Sequence, residues 1–434
     1  MSTKMIIQGG RPLYGEIPVS GMKNAALPIL YATVLVGDVC TLENIPGVSD
    51  IATSLELLRQ MGAQITYLAP TTVRIDTTYI KQGAAPDELV RKMRASSYLL
   101  GAELGRFGKT RIAWPGGCDF GGQRPLNLHL KGFAALGAKT DNEGGFISAE
   151  VEETLHGSAV YLDIASVGAT VNMVLAATLT DGTTVIDNAA REPHIVDLAN
   201  FLNACGANIT GAGTSTIKIH GVASLRGCTY TIIPDMIEAG TYMVATAATG
   251  GCVRIRSVIP KHVESITIKL CEMGVEVIEE DDSIVVKSTG RLNNVNIQTL
   301  YYPGFPTDMH PQFGALLCIA NGIGHIHESI WTNRFRYVEE LSKMGATIML
   351  DSAQNATFVG VEQLTGAVVE ATDLRAGAAL IVAGLAAVGT TEIRGVNYIK
   401  RGYDGIVEKL QGLGAEIREV PMDDTPSEII RKAN

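Results

Sequence analysis

The chain has no apolar stretch that is both long enough and free enough of glycine to span a bilayer. Its most apolar segment, Gly377 to Gly389, is short, and it is predicted to be a buried helix rather than a membrane span. The first residues, MSTKMIIQGG, lack the apolar core of an export signal, so we expect no export. These absences favour a cytoplasmic protein that does not associate with membranes.

Cysteine pairs, positive charge and histidine clusters are also scarce. The cysteines number seven and include no CxxC pair, which predicts reduced thiols rather than a disulfide framework. The formal net charge of −10 argues against a nucleic-acid-binding surface. The eight histidines show no metal-ligand spacing, and His325 and His327, which alternate along a predicted strand, are expected at the surface. An anionic ligand would therefore need a local cluster of basic residues.

One sequence pattern occurs six times along the chain. A helical segment that ends in glycine leads into a strand in LLRQMGAQI, FAALGAKT, FLNACGANIT, LCEMGVEVI, LSKMGATIM and LQGLGAEI. The glycines of this marker follow one another at 68 to 75 residues: Gly62, Gly137, Gly206, Gly274, Gly345 and Gly414. A second marker, a strand that begins with glycine, recurs at Gly108, Gly182, Gly251 and Gly389. Self-similarity at a nearly fixed period predicts an architecture of repeated structural units.

Each repeat is predicted to contain the same elements. A buried apolar helix such as SVGATVNMVLAATL is followed by a strand, a helix with one charged face, and a strand pair such as EVIEEDDSIVVKS. The unit is βαβαββ-like and the fold class is α/β. Six units are expected to form two pseudo-symmetric groups of three, with the apolar helices inside and the sheets outside. Counting repeats predicts one domain of residues 1–22 plus 232–420, a second of residues 23–231, and a C-terminal extension, 421–434.

The predicted helix starts carry charged and polar residues at recurring positions. First helices begin near Lys23, Arg94, Ser166, Asp235, Asp308 and Arg375, and second helices begin near Arg124, Arg191, Lys261, Arg334 and Arg401. Free N–H groups and the positive end of the helix dipole favour anions at such positions. The basic residues at or near one register of the second helices indicate an anion-binding cleft between the two groups. The alternative is that they are solvated helix starts or partners in surface ion pairs.

A set of motifs gives the chain a family resemblance. They are SGMKNAALPIL, MRASSYLLG, PGGCDFGGQRP, SVGAT, NAAREP, FPTDM, NRF, DLRAG and RGY. From Met5 to about Val420 the chain resembles the UDP-N-acetylglucosamine 1-carboxyvinyltransferases, the enolpyruvyl transferases of the peptidoglycan branch. The resemblance implies an inside-out α/β barrel of two three-repeat domains, a fold shared with 5-enolpyruvylshikimate-3-phosphate synthase. SVGAT, the cysteine loop and NAAREP favour the peptidoglycan branch over the shikimate branch.

The resemblance also implies a reaction and its two substrates. The enolpyruvyl group of phosphoenolpyruvate passes to the 3′-hydroxyl of UDP-N-acetylglucosamine, and phosphate is released. Addition of the alcohol at C2, protonation at C3 and elimination of phosphate need an acid, bases and cations near the substrate anions. This logic requires no metal and no other cofactor. The sequence leaves the oligomeric state open.

Two residues are the candidates for proton transfer. Cys118 lies in a glycine-rich loop ahead of Arg124, and nearby cations lower the pKa of a thiol, although a single cysteine can equally be inert core. By resemblance Cys118 protonates C3, can form a covalent adduct with phosphoenolpyruvate and is the target of fosfomycin. By resemblance Asp308 is the base for the 3′-hydroxyl, although an Asp after Thr could equally cap a helix.

The remaining candidates are implied substrate contacts, and two of them, Lys23 and Arg401, are also expected to be catalytic. Lys23 would contact phosphoenolpyruvate and Asn24 the sugar, the alternative for Lys23 being a solvated surface lysine. Arg124 and Arg401 would clamp phosphoenolpyruvate, because planar guanidinium groups fit carboxylate and phosphate. The resemblance assigns the phosphate end to Arg334 and Arg375. It assigns nucleotide-sugar contacts to Arg94, Arg124, Pro125, Leu126, Asn127, Leu128, Ser166, Val167 and Ile330.

The chain departs from the family pattern around the cysteine loop and the predicted uracil pocket. Five residues, 119–123, separate the cysteine from the arginine where four are usual, Asn127 stands where Asp is usual, and Ile164 where Lys is frequent. Met22 replaces a small residue beside Lys23. Two alternatives to the main hypothesis therefore stay open. One is a paralogous enolpyruvyl transferase that acts on another uridine nucleotide, and the other is a catalytically weak paralogue with a regulatory role.

Overall fold

The computed structural model describes residues 3–116 and 126–423, which contain 23 strands, 14 α-helices and four short 3-10 helices. The strands are Thr3–Gln8 (β1), Leu13–Pro18 (β2), Val39–Glu43 (β3), Gln64–Ala69 (β4), Thr72–Asp76 (β5), Lys109–Ala113 (β6), Lys139–Asp141 (β7), Phe146–Glu150 (β8), Ala159–Tyr161 (β9), Thr183–Asp187 (β10), Asn208–Thr210 (β11), Thr216–His220 (β12), Thr229–Thr231 (β13), Gly251–Arg256 (β14), Glu276–Glu279 (β15), Ser283–Ser288 (β16), Ile297–Gln298 (β17), Ile323–His327 (β18), Thr347–Ser352 (β19), Asn355–Val359 (β20), Val368–Glu370 (β21), Thr390–Arg394 (β22) and Glu416–Pro421 (β23). The α-helices are Lys23–Val36 (α1), Ser49–Gln60 (α2), Asp87–Val90 (α3), Tyr98–Phe107 (α4), Asn127–Ala135 (α5), Val167–Ala177 (α6), Pro193–Ala204 (α7), Met236–Thr249 (α8), Glu264–Met273 (α9), His310–Leu317 (α10), Tyr337–Lys343 (α11), Leu374–Ala386 (α12), Val396–Ile399 (α13) and Ile406–Gly412 (α14). The 3-10 helices are Arg94–Ser97, Pro260–Val263, Thr307–Met309 and Arg334–Arg336.

The six marker glycines share one backbone conformation. Each has a positive φ, between 89° and 109°, just after the second helix of its repeat. Residues with a side chain rarely adopt this conformation, whereas glycine adopts it without steric cost and so commonly ends helices. The repeat marker in the sequence therefore corresponds to a recurring turn from helix to strand.

Contacts within the chain divide it into two units. The continuous unit is Ser20–Pro234, and the discontinuous unit runs up to Val19 and resumes at Asp235. The described part of the continuous unit contains sheets with the strand orders β13-β3-β5-β4, β6-β8-β7 and β11-β12-β10-β9. The described part of the discontinuous unit contains β15-β16-β14-β2, β17-β18-β20-β19 and β21-β22-β1-β23. Each unit is thus built on three sheets, one for each of its repeats.

Apolar helices occupy the interior of each unit. Helices α1, α4 and α6 pack together in the continuous unit, and α8, α10 and α12 pack together in the discontinuous unit. All residues of α12 from Leu374 to Leu385 are buried, as are residues 25–36 of α1. A helix that is apolar on every side is stable only when protein surrounds it. Strands such as β18 instead alternate between exposed and buried residues, so the sheets form the outer layer.

Three strands complete sheets whose other strands are distant in the chain. Strand β13 pairs in parallel with β3 through Thr229 and Thr41, and β2 pairs in parallel with β14 through Leu13 and Gly251. Strand β1 lies between β22 and β23. The sheet of β6, β7 and β8 has three strands within the described residues. The repeats are therefore contiguous in space, although some of their strands come from the opposite end of a unit.

The units divide at residues 19–20 and 234–235, three residues from each predicted boundary, 22–23 and 231–232. The backbone N–H of Met22 donates to the carbonyl of Ile233 at 2.7 Å. The Asn44 side chain donates to the carbonyl of Ile232 at 2.9 Å, and a Cβ at Gly21 would lie 1.7 Å from the Asn44 carbonyl oxygen. These contacts attach both connecting segments to the continuous unit. Across the residues described, no helix is both long and apolar enough to cross a membrane.

Candidate active site

In the discontinuous unit, Asp308 lies between two arginines. One carboxylate oxygen of Asp308 is 3.0 Å from Nη2 of Arg334, and the other is 2.8 Å from Nη2 of Arg375. Both arginines are buried, whereas the Asp308 side chain is 28% exposed. The carboxylate therefore takes part in tertiary ion pairs rather than serving as a local helix cap, and it stays accessible to a ligand.

Local structure fixes each member of this cluster. Asp308 is in a single 3-10 turn that leads directly into α10. Arg375 is in the first turn of α12, where the Asp373 side chain accepts hydrogen bonds from the backbone N–H groups of Arg375 and Ala376. Burial by itself would lower the pKa of Arg375, but the charge of Asp308 raises it above its ordinary value. The starts of two buried helices thus hold a carboxylate against a permanently charged guanidinium.

A buried carboxylate, Glu328, connects the segments around this cluster. It follows β18, is fully buried, and accepts hydrogen bonds of 2.8–3.1 Å from five groups. The donors are the hydroxyls of Thr299 and Thr307, Nδ1 of His310, and the backbone N–H groups of Ile330 and Trp331. Thr307 precedes Asp308 and His310 follows it closely, so Glu328 links the Asp308 turn to the backbone of Ile330.

Hydrogen bonding decides the charge state of the Glu328–His310 pair. Burial alone would raise the pKa of Glu328, but the hydrogen bond and the electrostatic interaction with His310, together with the hydrogen bonds from Thr299 and Ile330, lower it to about 2. Burial lowers the pKa of His310, which keeps its ring neutral. An ionised carboxylate can only accept, so Nδ1 of His310 carries the proton. Sequence reasoning missed Glu328, because the motif around it, HIHESIW, does not reveal that a strand end is buried.

The RGY motif is attached to the same cluster through Tyr403. The Tyr403 hydroxyl lies 3.4 Å from Nη1 of Arg375 and also contacts Thr241 at 2.9 Å and Gln312 at 3.2 Å. Arg401 is two residues earlier in the same turn and is partly exposed. The fully buried tyrosine therefore fixes the turn from which the Arg401 side chain extends.

In the continuous unit, Lys23 opens α1 and is largely buried. Its ammonium group is 3.3 Å from the carboxylate of Asp50, and the two side chains are 12% and 10% exposed. Asn24 is the next residue of the helix and is partly exposed. A lysine with this burial is not a solvated surface side chain, so the structure disfavours that alternative.

Helices α4, α5 and α6 are linked through His129 of α5 and Asn172 of α6. Nδ1 of His129 lies 2.8 Å from Nδ2 of Asn172, which also donates to the carbonyl of Ser97. The side-chain amide oxygen of Asn172 accepts from the backbone N–H of Gly101 at 2.7 Å. Burial, with a smaller contribution from the charge of Arg94, lowers the pKa of His129 to about 3. Neither polar residue was a sequence candidate, since nothing in a helix of apolar residues marks one side chain as a connector.

This arrangement brings several predicted nucleotide-sugar residues into one region of the continuous unit. Arg94 opens the 3-10 turn before α4, Asn127 opens α5, and Ser166 caps α6 by accepting from the backbone N–H of Ala169 at 3.3 Å. Val167 is the first residue of α6. Leu126 and Leu128 are buried, while Asn127 is exposed. The close packing of α5 on α6 favours glycine at position 168, because a Cβ there would lie 3.0 Å from the His129 ring.

Other predicted residues fall outside this arrangement. Cys118, Arg124 and Pro125 lie outside the described residues. Lys261 shares a sequence register with Arg401 but is exposed, and it pairs at 2.6 Å with Glu264, the first residue of the following helix α9. Ile164 is 56% exposed. The common register of basic residues therefore does not give them a common environment.

Comparison with known proteins identifies the family. The family model described as EPSP synthase (3-phosphoshikimate 1-carboxyvinyltransferase) matches residues 7–410. A UDP-N-acetylglucosamine 1-carboxyvinyltransferase from Clostridium botulinum is 53% identical over 96% of this chain and 99% of its own length. This chain belongs to the UDP-N-acetylglucosamine 1-carboxyvinyltransferase family. The resemblance drawn from the sequence motifs is confirmed.

Further members and solved structures agree with this family and its fold. The UDP-N-acetylglucosamine 1-carboxyvinyltransferase 3 of Caldanaerobacter subterraneus is 52% identical over 95% of this chain and 98% of its own. The crystal structure of the enolpyruvyl transferase NikO from Streptomyces tendae superposes with a TM-score of 0.87 at 27% identity, covering 97% of this chain and 100% of NikO. EPSP synthase from Acinetobacter baumannii, at 18% identity and a TM-score of 0.75, covers 96% of this chain and 100% of its own. The predicted α/β fold class of the enolpyruvyl transferases is confirmed.

Proposed function

We propose that this carboxyvinyltransferase moves the enolpyruvyl group of phosphoenolpyruvate to the 3′-hydroxyl of UDP-N-acetylglucosamine and releases phosphate, the first committed step of peptidoglycan synthesis. The observation that carries the proposal is the full-length similarity, at 52–53% identity, to proteins named for this activity. The names of these relatives favour the main hypothesis over a paralogue that acts on another uridine nucleotide. We place the reaction in the cytoplasm, with phosphoenolpyruvate and the nucleotide sugar as the partners.

Asp308 acts in this proposal as the base for the sugar hydroxyl. Two flanking guanidinium groups favour the ionised carboxylate, which is the form that can accept a proton. Because both oxygens already face an arginine, the hydroxyl must approach through the exposed fraction of the side chain. Attack of the sugar oxygen on C2, with a proton delivered to C3, gives a tetrahedral intermediate that then loses phosphate and a C3 proton.

Cations stabilise the substrate anions in this scheme. Arg334 and Arg375 are held close to Asp308, so they are suited to the phosphate that leaves the tetrahedral intermediate. Arg401 extends from the turn that Tyr403 fixes, and we assign it together with Arg124 to phosphoenolpyruvate. Cys118 is assigned as the acid toward C3. The discontinuous unit would thus carry the acceptor base and part of the phosphoenolpyruvate site.

The continuous unit would bind the nucleotide sugar. Arg94, Ser166 and Val167 lie at the starts of buried helices, where free N–H groups and positively charged side chains suit a diphosphate. The exposed Asn127 and the backbone of its two leucine neighbours add polar groups at the start of α5. Lys23 and Asn24, at the start of α1, complete the assignment with contacts to phosphoenolpyruvate and the sugar.

The test is phosphate release from phosphoenolpyruvate with a panel of uridine nucleotides. We expect release with UDP-N-acetylglucosamine to be far faster than release with UMP or UDP-glucose. Faster turnover with UMP would replace the proposal with the alternative acceptor. Binding of the nucleotide sugar without turnover of any member of the panel would instead support the regulatory paralogue.

A further inference from the structure

Three thiols meet in the continuous unit, and none of them belongs to a candidate active-site residue. Sγ of Cys205 lies 3.4 Å from Sγ of Cys228, and the Cys205 thiol is also hydrogen bonded to that of Cys40. Cys40 and Cys205 are fully buried, whereas Cys228 is partly exposed. The described residues contain no group of side chains arranged to hold a metal ion.

The backbone already holds the three cysteine segments together. The N–H of Arg226 donates to the carbonyl of Cys205 at 2.9 Å, and the N–H of Thr41 donates to the carbonyl of Cys228 at 2.9 Å. Gly227 lies so close to β3 that a Cβ there would be 1.8 Å from the Val39 carbonyl oxygen. The two sulfur atoms of Cys205 and Cys228 are therefore close because their main chains are fixed.

We infer that Cys205 and Cys228 form an oxidisable dithiol, a modification site for a small disulfide oxidant such as oxidised glutathione. The partly exposed Cys228 thiolate attacks a sulfur of oxidised glutathione, forms a mixed disulfide and releases one glutathione thiolate. Cys205 then attacks the Cys228 sulfur and expels the second. Two protein thiols become one disulfide, and the two protons they lose are taken up by the two glutathione thiolates.

The bond would connect two elements that hold the end of the continuous unit. Cys205 ends α7, and Cys228 precedes β13, whose Tyr230 hydroxyl donates to Asp197 of α7 at 2.6 Å. The chain continues to Ile233, which accepts the hydrogen bond from Met22 next to Lys23. A cross-link at this place would restrain the separation of α7 from β13 in the unfolded chain, which stabilises the folded state.

The burial of Cys228 limits the rate at which its thiol reacts with oxidised glutathione. Burial raises the pKa of Cys228, so its reactive thiolate is scarce at neutral pH. The reaction should therefore be slow near pH 7 and faster at alkaline pH. Cys271, which is exposed, has no thiol neighbour within the described residues and serves as the comparison for simple accessibility.

The experiment treats the full-length protein with excess oxidised glutathione, blocks free thiols with an alkylating agent and maps the products by mass spectrometry. Combined digestion with trypsin and chymotrypsin is suitable, because Lys218 and Arg226 lie between Cys205 and Cys228, and Tyr230 and Tyr242 lie between Cys228 and Cys252. We expect a disulfide between the Cys205 and Cys228 peptides that a dithiol reductant removes, together with a rise of roughly 5 °C in the melting temperature. Cys271 should carry glutathione without an internal partner.

Matched variants distinguish an internal dithiol from cysteines that react only because they are exposed. Cys205→Ser should stop the reaction at the glutathione adduct on Cys228, and Cys271→Ser should leave the internal disulfide unchanged. If Cys205→Ser does not fold, Cys228→Ser gives the same test from the more exposed side and should abolish the disulfide. A stable glutathione adduct on Cys228 of the unsubstituted protein, or no reaction at Cys228 at alkaline pH, would overturn the inference.

Discussion

Each unit buries a carboxylate, and the two are held in opposite ways. Glu328 in the discontinuous unit accepts five hydrogen bonds, and its pKa falls to about 2 although burial opposes this. Asp197 in the continuous unit accepts from the Tyr230 hydroxyl at 2.6 Å and from the Ile233 N–H at 3.4 Å, and burial raises its pKa to about 6. Burial raises the pKa of both groups, so the difference between their pKa values comes from their partners, which are five donors including the His310 ring for Glu328 and two donors for Asp197.

The difference between the two pKa values agrees with the role proposed for each region. Near Asp308 the protein maintains charge in a buried region, through Glu328, Arg334 and Arg375. Asp197 instead lies on α7, where it holds β13 in place and has no contact with a candidate site residue among its hydrogen bonds. A buried ionised group is retained where the surrounding donors are numerous enough to replace water.

The largest effect is expected at Asp308, whose turn is hydrogen bonded to Glu328 through Thr307 and His310. Asp308→Asn removes the proposed base while leaving a side chain of the same size between Arg334 and Arg375. Turnover should fall by about 10²–10⁴-fold with nucleotide-sugar binding nearly unchanged, because removal of a general base slows the chemical step. Phosphate release and equilibrium binding measure the two quantities. Asp282→Asn, in an exposed turn of the same unit, is the control, and equal turnover in the two variants would remove Asp308 from the mechanism.

A smaller effect is expected when the charge of Glu328 is removed. Glu328→Gln keeps the shape but cannot accept from all five donors, so the Asp308 turn should shift. We expect turnover to fall by about tenfold, since small displacements of catalytic groups slow reactions, and the free energy of unfolding to fall by roughly 3 kcal/mol at neutral pH. Urea unfolding and phosphate release test this.

The pH dependence of stability shows whether Glu328→Gln acts through the lost charge or through altered packing. The depressed pKa of Glu328 means that its stabilisation is complete above its ordinary value of 4.5 and is lost as the pH falls toward about 2. The stability difference between the two proteins should therefore shrink through that range. A constant difference at every pH would show that the substitution acts by packing instead.

Sequence reasoning could predict the repeat and the helix starts but not the residues that connect them. The glycine marker was visible because a left-handed turn excludes nearly every other residue. Asp308 could be proposed from its motif. Glu328 and Asn172 were missed, since their roles depend on partners such as Thr299 and Ser97 that lie 29 and 75 residues away. The register of basic residues misled for Lys261, because position in a repeat does not determine which carboxylates a fold places nearby.

The smallest effect, and the one that tests the comparison most directly, is expected from Asp197→Asn. Its amide oxygen can still accept from Tyr230, but the group no longer ionises. Because the pKa of Asp197 is raised from 3.8 to about 6, the folded carboxyl holds its proton in a range where the unfolded chain has lost it. Stability of the unsubstituted protein should therefore rise relative to Asp197→Asn as the pH falls from about 6 to about 4, by at most about 2–3 kcal/mol.

Glu328→Gln should show the opposite trend at lower pH, where the unsubstituted protein loses its advantage. Urea midpoints measured across pH 3 to 8, with Asp282→Asn as the exposed control, give both slopes in one series. Slopes of the same sign would mean that the surroundings of these two buried carboxylates do not shift their pKa values in opposite directions.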